Sequence, residues 1–146
     1  MYSLEEFDEA KTRVLKYILY KKRTENEIKT KFGKTYQEEL LEDVIEYLKE
    51  AGYINDDEYV LKTVNQICAL KNLSIKEIRY KLLAKGISKD KIDDYMSENR
   101  KEMLEYEEKS ASTVAYKKSS SMEKEEIKNY LIKKGYTSDS IKKALD

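Results

Sequence analysis

The chain has 146 residues, 40% of them charged, with 29 basic and 29 acidic side chains, four glycines, one cysteine, and no proline, tryptophan or histidine. That length suits one domain or a few small modules sharing a core, and the lack of histidine excludes His-based triads, His-ligated zinc and a side chain that titrates near neutral pH. The separated glycines leave no P-loop or dinucleotide fingerprint, and neither a membrane span nor a secretory leader is expected, because no long apolar run occurs and the N-terminus lacks a basic stretch followed by an apolar one.

Taken in chain order, Ser3 and Glu6 have capping-box spacing and open a helix whose apolar residues Phe7, Ala10, Val14 and Ile18 recur three and four apart. Thr24 and Glu27 open a second, with Ile28 and Phe32. Thr35 and Glu38 have the same spacing ahead of Leu41, Val44, Ile45 and Leu48, and Gly52 followed by Tyr53 reads as the stop. Asn55-Asp56-Asp57-Glu58 lacks the alternate spacing, central glycine and distal glutamate of a calcium loop. It reads as a helix start at which an aspartate accepts a first-turn amide. Cys68 stands alone in the apolar stretch 64–70, so neither an intramolecular disulfide nor a multi-thiolate metal site is expected, and a packed thiol is. Ser74 and Glu77 open a helix with Ile78 and Leu82, closed by Gly86 before Ile87. Residues 97–121 read as a polar join with some helical character and a flexible turn at Ser119-Ser120-Ser121. A last pair of helices follows, with Ile127 and Leu131 ahead of Gly135 and Tyr136. About nine helices in all are expected, an all-α chain.

Self-comparison shows a repeat. Thr24 to Phe32, Ser74 to Leu82 and Glu123 to Leu131 superpose without gaps, with Ile28, Ile78 and Ile127 in register at spacings of 50 and 49 residues. Gly86 to Ile92 matches Gly135 to Ile141, whereas the first unit has Tyr36 where the others have glycine. The expected organisation is three tandem three-helix repeats, 1–57, 58–97 and 98–146, sharing core between neighbours in an elongated, curved body.

Neutral overall charge hides alternating blocks. Residues 1–35 hold 9 basic against 6 acidic groups, 36–60 hold 1 against 9, 61–91 hold 8 against 2, 92–108 hold 2 against 7, and 109–146 hold 9 against 5. Local fields of that kind steer charged partners. The basic block 61–91 offers Lys76, Arg79 and Lys81 on the helix opened by Ser74, with Lys85 one turn beyond Lys81, and Lys22 and Arg23 lie at the matching place in the first unit. These six are the candidate partner-binding residues, suited to phosphates or to acidic protein side chains, with the planar fork of arginine available for paired contacts. Most of the 13 tyrosines fall at periodic or post-glycine positions and are expected at core edges; Tyr80 lies off the apolar stripe beside Arg79 and Lys81. No constellation of catalytic residues is present.

The segments Arg23-T-E-N-Glu27-Ile28-K-T-Lys31-Phe32, Leu48-K-E-A-Gly52-Tyr53-I-N-Asp56-Asp57-E-Tyr59 and Ile75-K-E-Ile78-R-Y-K-Leu82-L-A-Lys85-Gly86-Ile87, in that order and spacing, resemble the RecX family of bacterial regulators of the recombinase RecA. The stretch ending Leu131-I-K-K-Gly135-Tyr136 resembles the family's weaker final repeat. The resemblance implies tandem three-helix repeats, no active site and no cofactor. It also implies a cytoplasmic protein that lies in the groove of the RecA filament on single-stranded DNA and inhibits recombination and coupled DNA-repair and SOS activities. Direct contact with single-stranded or duplex DNA is expected to be weak at zero net charge, and a monomer is expected. The other classes compatible with the residues are a helix-turn-helix-like DNA-binding module and a helical protein-interaction adaptor.

Overall fold

Capping chemistry sets where most helices of this chain begin. The computed structural model describes residues 1–146 and contains nine α-helices and no strand: α1 Leu4–Tyr20, α2 Glu25–Phe32, α3 Glu38–Glu50, α4 Asp56–Leu70, α5 Ile75–Ala84, α6 Lys89–Glu98, α7 Arg100–Lys118, α8 Lys124–Lys134 and α9 Ser138–Leu145. Ser3, Thr24 and Ser74 each accept a hydrogen bond from the amide three residues on, while Glu6, Glu27 and Glu77 reach back to the cap amide. These are the expected boxes, and each satisfies two of the donors a helix start leaves open. Ser88 and Thr137 cap α6 and α9 through their hydroxyls alone.

The chain divides into two compact units, Met1–Val60 with Lys85–Ile87, and Leu61–Ala84 with Ser88–Asp146. In the first, α1 buries Ala10, Val14 and Ile18, α2 buries Ile28 and Phe32, and α3 buries Leu40, Leu41, Val44, Ile45 and Leu48, which with Ile54 form one cluster. Each such aliphatic side chain contributes about 1.5–3 kcal/mol by leaving water. The Phe32 ring sits edge-on to Tyr17 at 5.6 Å and stacks on Tyr36 at 6.0 Å.

Two expectations change here. Thr35 does not cap α3: the amides of Thr35 and Tyr36 both turn back to the Phe32 carbonyl, at 3.0 and 3.1 Å, so Thr35 belongs to the turn that closes α2. The N-cap of α3 is Gln37, which makes no side-chain cap bond. At the acidic run, the cap of α4 is Asn55, whose side chain accepts from the Glu58 amide at 3.0 Å. Asp56 serves a neighbour instead and accepts from the Glu25 amide, the first of α2, at 3.1 Å.

In the second unit Ala111, Ala115, Ile127, Leu131, Tyr136 and Ile141 form one cluster, and Val64, Ile78, Leu82 and Ile92 are buried as well. In the expected polar join, residues 100–118 form a continuous 19-residue helix, more than the partial helical character read from the sequence. Its buried side is Met103, Glu107, Ser110, Ala111 and Ala115, small or polar apart from the methionine, so no apolar stripe marks it. The interruption is confined to 119–123, before α8. Cys68 is half-buried, and burial pushes its thiol above the usual range.

Candidate partner-binding surface

Helices α2 and α5 are corresponding members of the sequence repeat, and they are held at their starts by the same three devices. The first is a shared hydroxyl. Besides capping its own helix, buried Thr24 donates to the Lys85 carbonyl at 2.6 Å, and buried Ser74 donates to the Lys134 carbonyl at 2.6 Å. The second is a left-handed glycine one residue after each of those carbonyls. Gly86 has φ +82° and packs on Asn26, and Gly135 has φ +90° and packs on Lys76; Asn26 and Lys76 are the second residues of α2 and α5. The third is a carboxylate that takes the first helical amide: Asp56 for α2 and Glu107 for α5, the latter at 2.9 Å.

Three of the six expected contact residues lie in the first unit, immediately before α2 or at the Lys85 turn. Arg23 and Lys85 meet at one carboxylate, Glu27, whose Oε2 lies 4.0 Å from Arg23 Nη1 and 3.8 Å from Lys85 Nζ. The Arg23 guanidinium also covers the Tyr17 ring, 4.1 Å from its centroid, and its Nε is buried without a hydrogen-bond partner. Arg23 is therefore packed as much as displayed, with 16% of its side chain exposed. Lys22 pairs with Glu58.

Lys76, Arg79 and Lys81 lie on α5 in the second unit. Arg79 pairs with Asp93 of α6, and that contact holds the Asp93 carboxyl below the usual carboxylate range. Lys76 is exposed, its stem against Gly135 and its ammonium 5.9 Å from the centroid of the Tyr80 ring. Lys81 is exposed, and Tyr80 beside it is 59% exposed. Three and four residue separations place Arg79 and Tyr80 next to Lys76 on one side of the helix. Helix α5 ends at Ala84, so Lys85 continues in a turn rather than on the helix, and its ammonium is directed to Glu27.

Chemically, the arrangement displays cations that already have carboxylate partners beside cations and an aromatic ring that are open to solvent. A pair such as Arg79 with Asp93, partly exposed and screened by solvent, is held weakly and yields to a better-placed anion. The residues that set this geometry without being displayed are Thr24, Ser74, Asp56 and Glu107. The hydroxyls of Thr24 and Ser74 are readable as caps, but their second bonds join residues about sixty apart in sequence and leave no local signal.

No family model matches the chain. Regulatory protein RecX of Clostridium botulinum (strain Eklund 17B / Type B) is 35% identical over 130 residues, a match covering 82% of this chain and 59% of that protein, so the chain spans under two thirds of that relative's length. Regulatory protein RecX of Clostridium beijerinckii is 32% identical over 159 residues, covering 97% of this chain and 70% of that protein. The fold is that of the crystal structure of RecX from Lactobacillus salivarius, with a TM-score of 0.86 at 22% identity over 98% of this chain and 96% of that one. A second crystal structure of regulatory protein RecX gives a TM-score of 0.82 at 24% identity over 95% of this chain and 71% of that one. An all-helical fold shared with those structures, together with identity that extends along nearly the whole chain and most of the Clostridium beijerinckii protein, means that this chain belongs to the RecX family of regulatory proteins.

Proposed function

We propose that this chain acts without catalysis as a cytoplasmic regulator that binds the RecA recombinase filament on single-stranded DNA and inhibits recombination and DNA-repair activities. Contact is made through Lys22, Arg23, Lys76, Arg79, Lys81 and Lys85. The observation that carries the reading is the mixed character of those cations. Lys22, Arg79 and Lys85 each face a carboxylate of the same chain, while Lys76 and Lys81 flank exposed Tyr80. A surface built for nucleic acid alone concentrates unpaired cations along the phosphate track. Here, with zero net charge, a composite of phosphate and protein side chains is the better complement. The repeat units 1–57, 58–97 and 98–146 are the modules that present it.

The test is RecA-dependent strand exchange with the chain added below the recombinase concentration. Inhibition at substoichiometric ratios, with the chain recovered on sedimented filaments, is the expected result. Undiminished exchange together with absence from the filament pellet would overturn the reading.

A further inference from the structure

Buried polar networks are costly unless every member is satisfied, which makes Glu107 of α7 informative. Its side chain is fully buried, where bulk water cannot satisfy it. Both carboxylate oxygens are instead occupied by donors at the starts of two different helices. Oε2 accepts from the Ile75 amide of α5 at 2.9 Å, and Oε1 accepts from the Thr137 amide at 3.1 Å, the Thr137 hydroxyl at 2.7 Å and the Ser140 hydroxyl at 2.8 Å at the start of α9. Anions are favoured at helix N-termini because first-turn amides are open and the helix dipole is positive there. One carboxylate here serves two such termini.

Residues preceding α5 are tied down in the same place. The neighbouring Tyr106 hydroxyl accepts from the Leu73 amide at 2.9 Å and donates to the Lys71 carbonyl at 2.7 Å. Tyr136 donates to the Asn72 carbonyl at 3.3 Å and shares a 2.7 Å bond with Ser110. Thus α7 supplies a socket, Tyr106, Glu107 and Ser110, into which the start of α5 is set. Helix α5 has only two fully buried apolar anchors of its own, Ile78 and Leu82, so hydrogen bonds at its start decide its orientation to a larger degree than in a helix with a wide apolar face.

We propose that Glu107 is the positioning residue of the partner-contacting helix: by holding α5 and α9 from one buried carboxylate it fixes the direction in which Lys76, Arg79, Tyr80 and Lys81 are displayed. This rests on the reading of α5 as a contact helix given above. The geometry also sets the chemistry that position 107 tolerates. Because both oxygens accept from backbone amides, the isosteric amide fails: in either orientation the NH2 of a glutamine faces an N–H. Glu77 differs, since only its Oε1 is used, on the Ser74 amide, and a glutamine there keeps that bond.

The experiment compares Glu107→Gln, Glu77→Gln and Ile75→Pro with the parent chain by amide exchange in the free protein and by binding to RecA filaments on single-stranded DNA. Proline is tolerated at the first helical position; Ile75→Pro removes the N–H that Glu107 accepts and also trims the half-buried Ile75 side chain, so it is read against Ile75→Val, which trims the side chain and keeps the N–H, and it tests the α5 bond even where Glu107→Gln does not fold. An Ile141→Val core variant of the same unit controls for lowered stability. The expected result is faster exchange through the first turn of α5 and filament binding weakened about tenfold in Glu107→Gln and Ile75→Pro, with Glu77→Gln and Ile141→Val close to the parent. Faster exchange with filament binding unchanged would overturn the positioning role, as would equal loss in the core variant. If the parent chain itself does not bind filaments, the contact reading fails, while exchange at α5 still decides whether Glu107 holds that helix.

Discussion

Thr24 and Ser74 each combine two tasks in one hydroxyl, accepting from an amide of their own helix and donating to a carbonyl about sixty residues away. Loss of such a group removes both a cap and a bond to a distant carbonyl, so Ser74→Ala and Thr24→Ala are each expected to cost about 2 kcal/mol in urea unfolding. Ser3→Ala, at an exposed cap with no second bond, is expected to cost about 1 kcal/mol; equal losses at Ser3 and Ser74 would contradict the shared-hydroxyl account. Glu25 gives a pH dependence. Burial pushes its carboxyl up, but the ammonium groups of Lys49 and Lys29 outweigh that and hold it below the usual carboxylate range. A carboxylate depressed in the folded state contributes stability that is full above its unfolded value and lost as pH falls through the folded one. Stability is therefore expected to decline from about pH 5 downward, and Lys49→Met is expected to flatten part of that decline when Tm is followed from pH 6.5 to pH 3, values of about the range over which carboxylates titrate. An unchanged slope would remove Glu25 as its source.

At the level of elements, the three left-handed glycines make a graded series. A side chain at Gly52, φ +84°, meets nothing within 4 Å, so Gly52→Ala carries only the backbone cost of about 1–2 kcal/mol. At Gly135 a Cβ falls 2.9 Å from the Lys76 stem, and at Gly86 it falls 2.1 Å from Asn26 Cβ. Chemical denaturation is expected to rank the alanine variants Gly86 worst, then Gly135, then Gly52, and a reversed order would show that helix-to-turn packing is not what those glycines serve. The helices that were easiest to read from sequence are those with a capping residue and an apolar stripe together, such as α1 with Ser3 and Ala10, Val14 and Ile18. Thr35 misled because its spacing to Glu38 imitates a box while its amide is committed to closing α2. Helix α7 was only partly legible because its inward face is Glu107, Ser110, Ala111 and Ala115. A buried carboxylate paired with backbone amides has no signature in hydropathy, and its partners at 75, 137 and 140 become neighbours only in the fold.

For the whole molecule, the alternating charge blocks are answered in part within the chain: Lys22 with Glu58, Lys29 and Lys49 with Glu25, Arg79 with Asp93, Lys143 with Glu108. Zero net charge is thus compatible with a charged contact face, but one whose cations are shared with carboxylates and whose attraction for bare phosphate is limited. Of the candidate face, the residue types and the repeat that places them were readable in sequence; which cations are already paired was not, because pairing depends on turns such as Lys85 and on α6. Such a face suits a nucleoprotein filament rather than bare DNA. The direct measurement is co-sedimentation of the chain, and of an Arg79→Glu, Lys85→Glu variant, with RecA filaments on single-stranded DNA, beside the same DNA alone and free recombinase. Strong retention on filaments, weak retention on either component, and loss on filaments of about tenfold or more for the variant, the scale of two charge-assisted contacts, are expected. Equal retention on naked DNA, with an equal loss there on charge reversal, would contradict filament recognition and assign the chain to DNA binding of its own.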